Sequence, residues 1–262
     1  MLLLISAAFA FEATSDLVLG SVPQTSVSLR QAEGPMYNGT SYHFSRLTAE
    51  LAPGTQRHFE PGLKVRGSVY GLNVPSEQSG HFSFGNPTVE LWLTGRPNDN
   101  SQVSLIVGGS TVALGDTSAF HVLPFETATS GPLLGFHASG RVGVLELQQT
   151  VLAQQGFFLS PLFVMSQTSV GGALRDDLHL LGTGTWTNFG SRVGMTARWQ
   201  PRPALDVGLG LDVPIEALFA DDTVPLDVIL EVRLERPRED GISRRTAPRQ
   251  MRDDLQDWVQ GR

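Results

Sequence analysis

The stretch Ala204-Leu-Asp-Val-Gly-Leu-Gly-Leu-Asp-Val-Pro-Ile215 decides the fold. Leu205, Val207, Leu209, Leu211, Val213 and Ile215 share one parity, and Asp206, Gly208, Gly210 and Asp212 share the other. Side chains of a strand point alternately to its two faces, so a period of two writes a strand with one apolar and one polar side. The next apolar segment repeats it. Leu226, Val228, Leu230, Val232 and Leu234 oppose Asp227, Glu231, Arg233 and Glu235, with Ile229 as the exception. Upstream, Val193, Met195, Ala197 and Trp199 oppose Arg192, Gly194, Thr196 and Arg198.

Weaker copies continue toward the N-terminus. Leu47, Ala49 and Leu51 oppose Arg46, Thr48 and Glu50; Leu63, Val65 and Val69 oppose Lys64, Arg66, Ser68 and Tyr70. Val89, Leu91 and Leu93 oppose Thr88, Glu90 and Trp92, and Val103, Leu105 and Val107 oppose Gln102 and Ser104. Leu134, Phe136, Ala138, Val142 and Val144 oppose His137, Ser139 and Arg141. Helical periodicity is nearly absent before the last turns of the chain.

The connections add topology. Short Pro-, Gly- and Asn-rich turns fall at 53–57, 96–100 and 200–203, and longer polar connections at 32–42, 75–86, 115–131, 169–177 and 216–224. With 148–156 counted as a further short one, short and long alternate along the chain. An outer-membrane barrel has this asymmetry because one rim carries tight turns and the other longer loops. The expectation is a closed, up-and-down antiparallel transmembrane β-barrel of about ten strands, with both termini on the periplasmic side. That count takes residues 178–199 as one strand, a β-bulge at Asn188-Phe-Gly-Ser191 accounting for the change of parity there.

Composition narrows the classes. Net charge is −7, which argues against nucleic acid as a partner. There is no cysteine, so disulfides, thiolate metal sites and Cys nucleophiles are excluded. The 6 His include no H-x-x-x-H pair, and no pattern for a metal or cofactor is found. Residues 1–12, with Ala8-Phe-Ala10 at the end of an apolar run, read as a signal segment, leaving 13–236 for the barrel and 237–262 for a periplasmic tail.

The segments Phe84-Gly-Asn-Pro-Thr-Val-Glu-Leu-Trp-Leu93 and Arg198-Trp-Gln-Pro-Arg-Pro-Ala-Leu-Asp-Val-Gly-Leu-Gly-Leu-Asp212 resemble strand-entry and hairpin segments of small bacterial outer-membrane β-barrels, a broad class rather than one family. The resemblance covers most of 43–236. It implies an outer-membrane location, lipid around the barrel, and aromatic girdles, for which Trp92, Phe136, Phe189, Trp199, Tyr42 and Phe44 are candidates. Chains of this class usually end on an aromatic last strand; here a polar tail follows Arg236, implying an internal insertion signal. A secreted or periplasmic β-sandwich binding module is the alternative.

Three His-x-Ser patterns, His43/Ser45, His81/Ser83 and His137/Ser139, resemble the signature of outer-membrane lipid hydrolases. Residues i and i+2 of a strand share a face, which a Ser nucleophile and its base require. The best copy is followed by Gly140 where those hydrolases carry Asn, and its parity turns it inward, so the chain reads as a non-enzyme. The acidic pairs Asp176-Asp177, Asp221-Asp222 and Asp253-Asp254 read as solvated edges.

The interior parity collects Lys64, Arg66, Arg141, Arg192, Arg198, Asp206, Asp212, Glu231 and Arg233 as lumen-lining charges. In a narrow interior such groups pair to offset desolvation. This leaves two functions open, a narrow polar pore and a structural anchor of a trans-envelope complex serving motility or transport. In the tail, Met251, Leu255, Trp258 and Val259 recur as one stripe of a short amphipathic helix after Pro248, a candidate surface for a periplasmic partner.

Overall fold

A computed structural model describes residues 25–35, 41–52, 59–73, 81–98, 101–111, 131–142, 145–155, 162–175, 177–188, 190–202, 204–215, 218 and 226–235. The signal segment and the tail with its helix lie outside the described residues. The strands are β1 (Ser26–Pro35), β2 (Ser41–Leu51), β3 (Phe59–Asn73), β4 (His81–Phe84), β5 (Thr88–Asn98), β6 (Ser101–Ser110) and β7 (Gly131–Val142). They continue as β8 (Leu145–Gln154), β9 (Phe163–Arg175), β10 (Leu178–Thr187), β11 (Gly190–Arg202), β12 (Leu205–Pro214) and β13 (Asp227–Glu235).

Every pairing is antiparallel, between chain neighbours except that β3 also pairs with β5, and β13 pairs back onto β1 through the register Ser26↔Glu235 to Glu33↔Val228, which closes the sheet. β4 and β5 occupy one strand position, because β3 pairs with β5 over Phe59–Arg66 and with β4 over Val69–Leu72. The barrel therefore has 12 strands. Between β4 and β5, Gly85, Asn86 and Pro87 face the two residues Gly67 and Ser68, a bulge into which Pro87 brings no N–H. Gly85 N–H donates to Ser68 O at 3.0 Å across it.

Twelve strands correct the expected ten, and particular segments account for the difference. Residues 178–199 are two strands, with Thr187↔Gly190 closing a hairpin over 188–189. A two-residue turn reverses parity just as a bulge does, so alternation alone did not separate them. The stretch 148–156 is mostly β8, and 32–42 holds the ends of β1 and β2. The 169–177 segment is likewise strand up to Arg175.

The asymmetry of the rims persists. At the rim where β1 begins and β13 ends, strands follow within two residues at Asn98/Ser101, Val142/Leu145, Arg175/Leu178 and Arg202/Leu205. At the opposite rim Ser110 and Gly131 are far apart in sequence, as are Gln154 and Phe163, and Pro214 and Asp227; the longer Leu51/Phe59 connection on the first rim and the short Thr187/Gly190 connection on the second are exceptions.

The exterior is apolar. Val27, Leu47, Leu91, Leu134, Leu209 and Leu234 are among many large hydrophobic side chains that stand exposed on it. Phe59 and Trp199 sit at the rim of the termini, and Phe82, Phe84 and Trp186 toward the other, as interfacial girdles do. Two girdle candidates are thereby kept or moved: Trp199 is exposed at a strand end, whereas Phe136 is exposed in mid-strand. Trp92, Tyr42 and Phe44 are buried on the inward parity, a correction to their expected place; Phe189 lies outside the described residues.

Candidate functional site: the barrel interior

The side chains opposite the apolar exterior point into the lumen. All nine charges assigned to it from sequence stand on the inward parity. Lys64 is 0% and Arg233 1% exposed, and Arg192, Arg198, Asp206 and Asp212 are buried as well. Arg66, Arg141 and Glu231 are partly buried.

Pairing sets their geometry. Glu50 receives Lys64 Nζ at 3.1 Å and Arg233 Nη2 at 3.2 Å. Arg233 also lies 3.9 Å from Glu231 and 3.7 Å from Glu235. Arg192 Nε donates to Asp212 Oδ2 at 2.6 Å, and the same guanidinium reaches Asp227. Arg198 pairs with Asp206, Arg66 with Glu90, and Arg141 with Glu146. Lys64 Nζ sits 4.9 Å from the centre of the Trp92 ring, whose Nε1–H donates to Glu90 at 2.9 Å. Removing such charges from water is costly, and paired, hydrogen-bonded partners offset that cost.

Glu50, Glu90, Glu146, Asp227, Arg30 and Arg46 belong to this interior as well. The same parity reading reaches Glu50, Glu90 and Arg46, which stand opposite the apolar residues of their strands. Arg30 lies on β1, whose outward Gln31 and Glu33 break the apolar alternation that would have revealed it.

The charges crowd one arc of the wall, from β11 through the closure to β5. On β6 to β10 the inward chains are mostly hydroxyls, amides and apolar groups. Gln154 Nε2 donates to Ser110 Oγ at 2.5 Å and Gln167 Nε2 to Thr185 Oγ1 at 3.2 Å. An apolar belt runs beside them along one register row, Trp92↔Ile106↔Gly135↔Leu152↔Met165. Gly135 allows this contact, because a Cβ there would lie 2.2 Å from Leu152 Cδ2. On β12, Gly208 and Gly210 leave a gap beside Arg198, Asp206, Glu231 and Arg233.

Among the described side chains, the His-x-Ser patterns do not assemble one common site. His137 is fully buried in the lumen, its Nδ1 2.9 Å from Thr150 Oγ1 and its ring 5.8 Å from that of Trp92. His43 and Ser45 lie on the outward parity, opposite Glu33 and Gln31 of β1. Among the described residues no hydrogen bond joins His43 to Ser45. No group of His, Cys, Asp and Glu suited to a metal ion occurs among the described residues. The stripe Met251, Leu255, Trp258 and Val259 lies outside them.

A closed antiparallel sheet, apolar outside and charged inside, satisfies every strand's hydrogen bonds within a bilayer. The class this architecture defines is the bacterial outer-membrane β-barrel, and its location is the outer membrane. The fold is shared with an outer membrane channel from Pseudomonas putida F1, at TM-score 0.58 and 12% identity over 83% of this chain and 99% of that one. KdgM porin matches at TM-score 0.52 and 7% identity over 80% and 99% of the two chains. Outer membrane phospholipase A from Escherichia coli matches at TM-score 0.52 and 11% identity, over 89% and 98%. At these identities the likeness is one of fold. No protein-family model matches the chain, and no curated protein matches it.

Proposed function

We propose that the barrel is a narrow pore for small polar solutes, its bore set by the paired charges of its wall. The observation that carries this reading is the inward parity, which bears hydroxyl, amide or charged side chains from β1 round to β13. A purely mechanical post gains nothing from burying so many ionic groups, each with its desolvation cost. The naming of two similar structures as a channel and a porin supports the same reading. The inward placement of His137 and Ser139 supports a non-enzymatic role.

The experiment is planar-bilayer recording of the purified full-length protein. Discrete conductance steps are expected, larger in the Arg198→Ala/Asp206→Ala double variant. Silent bilayers with folded protein reject the pore.

One observation favours a second reading, a closed barrel that anchors a trans-envelope complex: the near-total burial of Lys64, Glu50 and Arg233. On that reading the tail stripe Met251, Leu255, Trp258 and Val259 engages a periplasmic partner. Deleting residues 244–262 then leaves insertion intact and abolishes crosslinked recovery of that partner.

A further inference from the structure

The lipid-facing wall of β7 to β10 breaks its own rule at mid-strand. Gln149 of β8 lies on the outward parity between Leu147 and Val151, both exposed. Its Nε2–H donates to Ser166 Oγ at 2.9 Å, and its Oε1 accepts from Thr168 Oγ1–H at 2.6 Å. Ser166 and Thr168 are outward residues of β9, and Val170 beyond them is again exposed and apolar. An amide and two hydroxyls therefore stand on the apolar wall, Ser166 directly opposite the girdle residue Trp186, and Thr168 with its partner Gln149 two residues farther from that rim.

The flanks of this group are small. One register row runs Ala138↔Gln149↔Thr168↔Gly184 across four strands. A Cβ on Gly184 would meet nothing within 4 Å, so the wall is low at this point. Most of the remaining exterior is built of Leu, Val, Phe and Trp side chains, with a second polar group, Gln31, Glu33, His43 and Ser45, on β1 and β2.

We propose that this patch is the contact surface for a second copy of this chain, forming a two-fold dimer of barrels in the membrane. Hydrocarbon offers amides and hydroxyls no partner, so polar groups exposed to it are driven toward another protein surface. A two-fold contact places the same patch on both sides, and this one is self-complementary. The Ser166 hydroxyl keeps a hydrogen to donate, and the Thr168 oxygen keeps lone pairs to accept one. The low relief at Ala138 and Gly184 lets two curved walls approach closely enough for those groups to meet, as small residues do between membrane helices.

The test is sedimentation equilibrium of the full-length protein in density-matched detergent micelles. Wild type is expected to dimerise reversibly. Gln149→Leu, which makes the wall more apolar and leaves the barrel folded, should raise the dimer dissociation constant roughly tenfold. Gly184→Trp, which raises a ridge on the patch, should give monomers, whereas Leu91→Trp on another wall should dimerise as wild type does. A wild type that stays monomeric at every protein-to-micelle ratio overturns the proposal. So does a Gln149→Leu variant with unchanged affinity, or equal effects of the two Trp substitutions.

Discussion

Arg233, on the last strand, reaches across β1 to Glu50 on the second, Nη2 to Oε1 at 3.2 Å. The contact joins residues 183 positions apart and bridges the seam where the sheet closes on itself. Glu50 serves Lys64 at the same time, so one carboxylate balances two buried cations.

Loss of that carboxylate is the most damaging single change expected in the interior. Glu50→Ala leaves two charges buried with their shared partner gone, at a cost of about 3–5 kcal/mol. Urea unfolding of the vesicle-inserted barrel measures it. Glu50→Gln retains hydrogen bonding and should cost less; equal losses would mean that charge compensation is not what Glu50 provides.

The apolar parity of β12 faces lipid. Leu209 is 54% exposed at mid-strand, and Arg in its place should cost about 2–4 kcal/mol near the bilayer midplane. Its neighbour Gly208 faces the lumen, where Glu231 Cβ would be 3.7 Å from an added Cβ. Gly208→Ala should fold normally, and Gly208→Arg should suffer from crowding. If Arg and Gln at position 209 prove equally harmless, the membrane face has been misassigned.

A pair of glycines on adjacent strands separates close approach from mere smallness. A Cβ on Gly171 would lie 2.2 Å from Leu180 O and 2.8 Å from Leu181 Cα, both backbone atoms of β10. Gly171→Ala should therefore destabilise by about 1–3 kcal/mol. On Gly182 the nearest atom is Val170 O at 3.7 Å, and Gly182→Ala should stay within about 0.5 kcal/mol of wild type. Matched thermal unfolding curves of the two variants decide it.

His137→Ala removes a buried hydrogen bond to Thr150 and should cost about 1–3 kcal/mol. Ser139→Ala should be milder. Neither should alter bilayer conductance. An esterase activity of the purified protein that disappears with either change would contradict the non-enzymatic reading.

The strands legible in sequence are those whose outward residues are uniformly apolar, β12 and β13 above all. β8 was hidden because Gln148 and Gln149 place amides on both faces in succession, one of them on the lipid side. The interior read less clearly than the exterior. Ile106, Leu133, Phe163, Met165 and Leu181 point inward and blur the polar parity of their strands. Individual lumen charges were legible because each opposes an apolar residue. Their pairing was not, because register across the closure depends on the whole barrel.

The seam between β1 and β13 also governs kinetics. Its ladder, Ser26–Glu33 against Val228–Glu235, joins the two ends of the folded sheet, so nothing local in sequence can nucleate it. Such long-range pairing is intrinsically slow. Until it forms, both strands expose unpaired backbone groups, which hydrocarbon penalises by several kcal/mol each. A half-zipped sheet thus has no resting place in the bilayer, and insertion must be coupled to closure. Substitutions at the seam, Glu50 and Arg233 included, should lengthen the lifetime of the unclosed intermediate more than those at hairpins such as β11–β12.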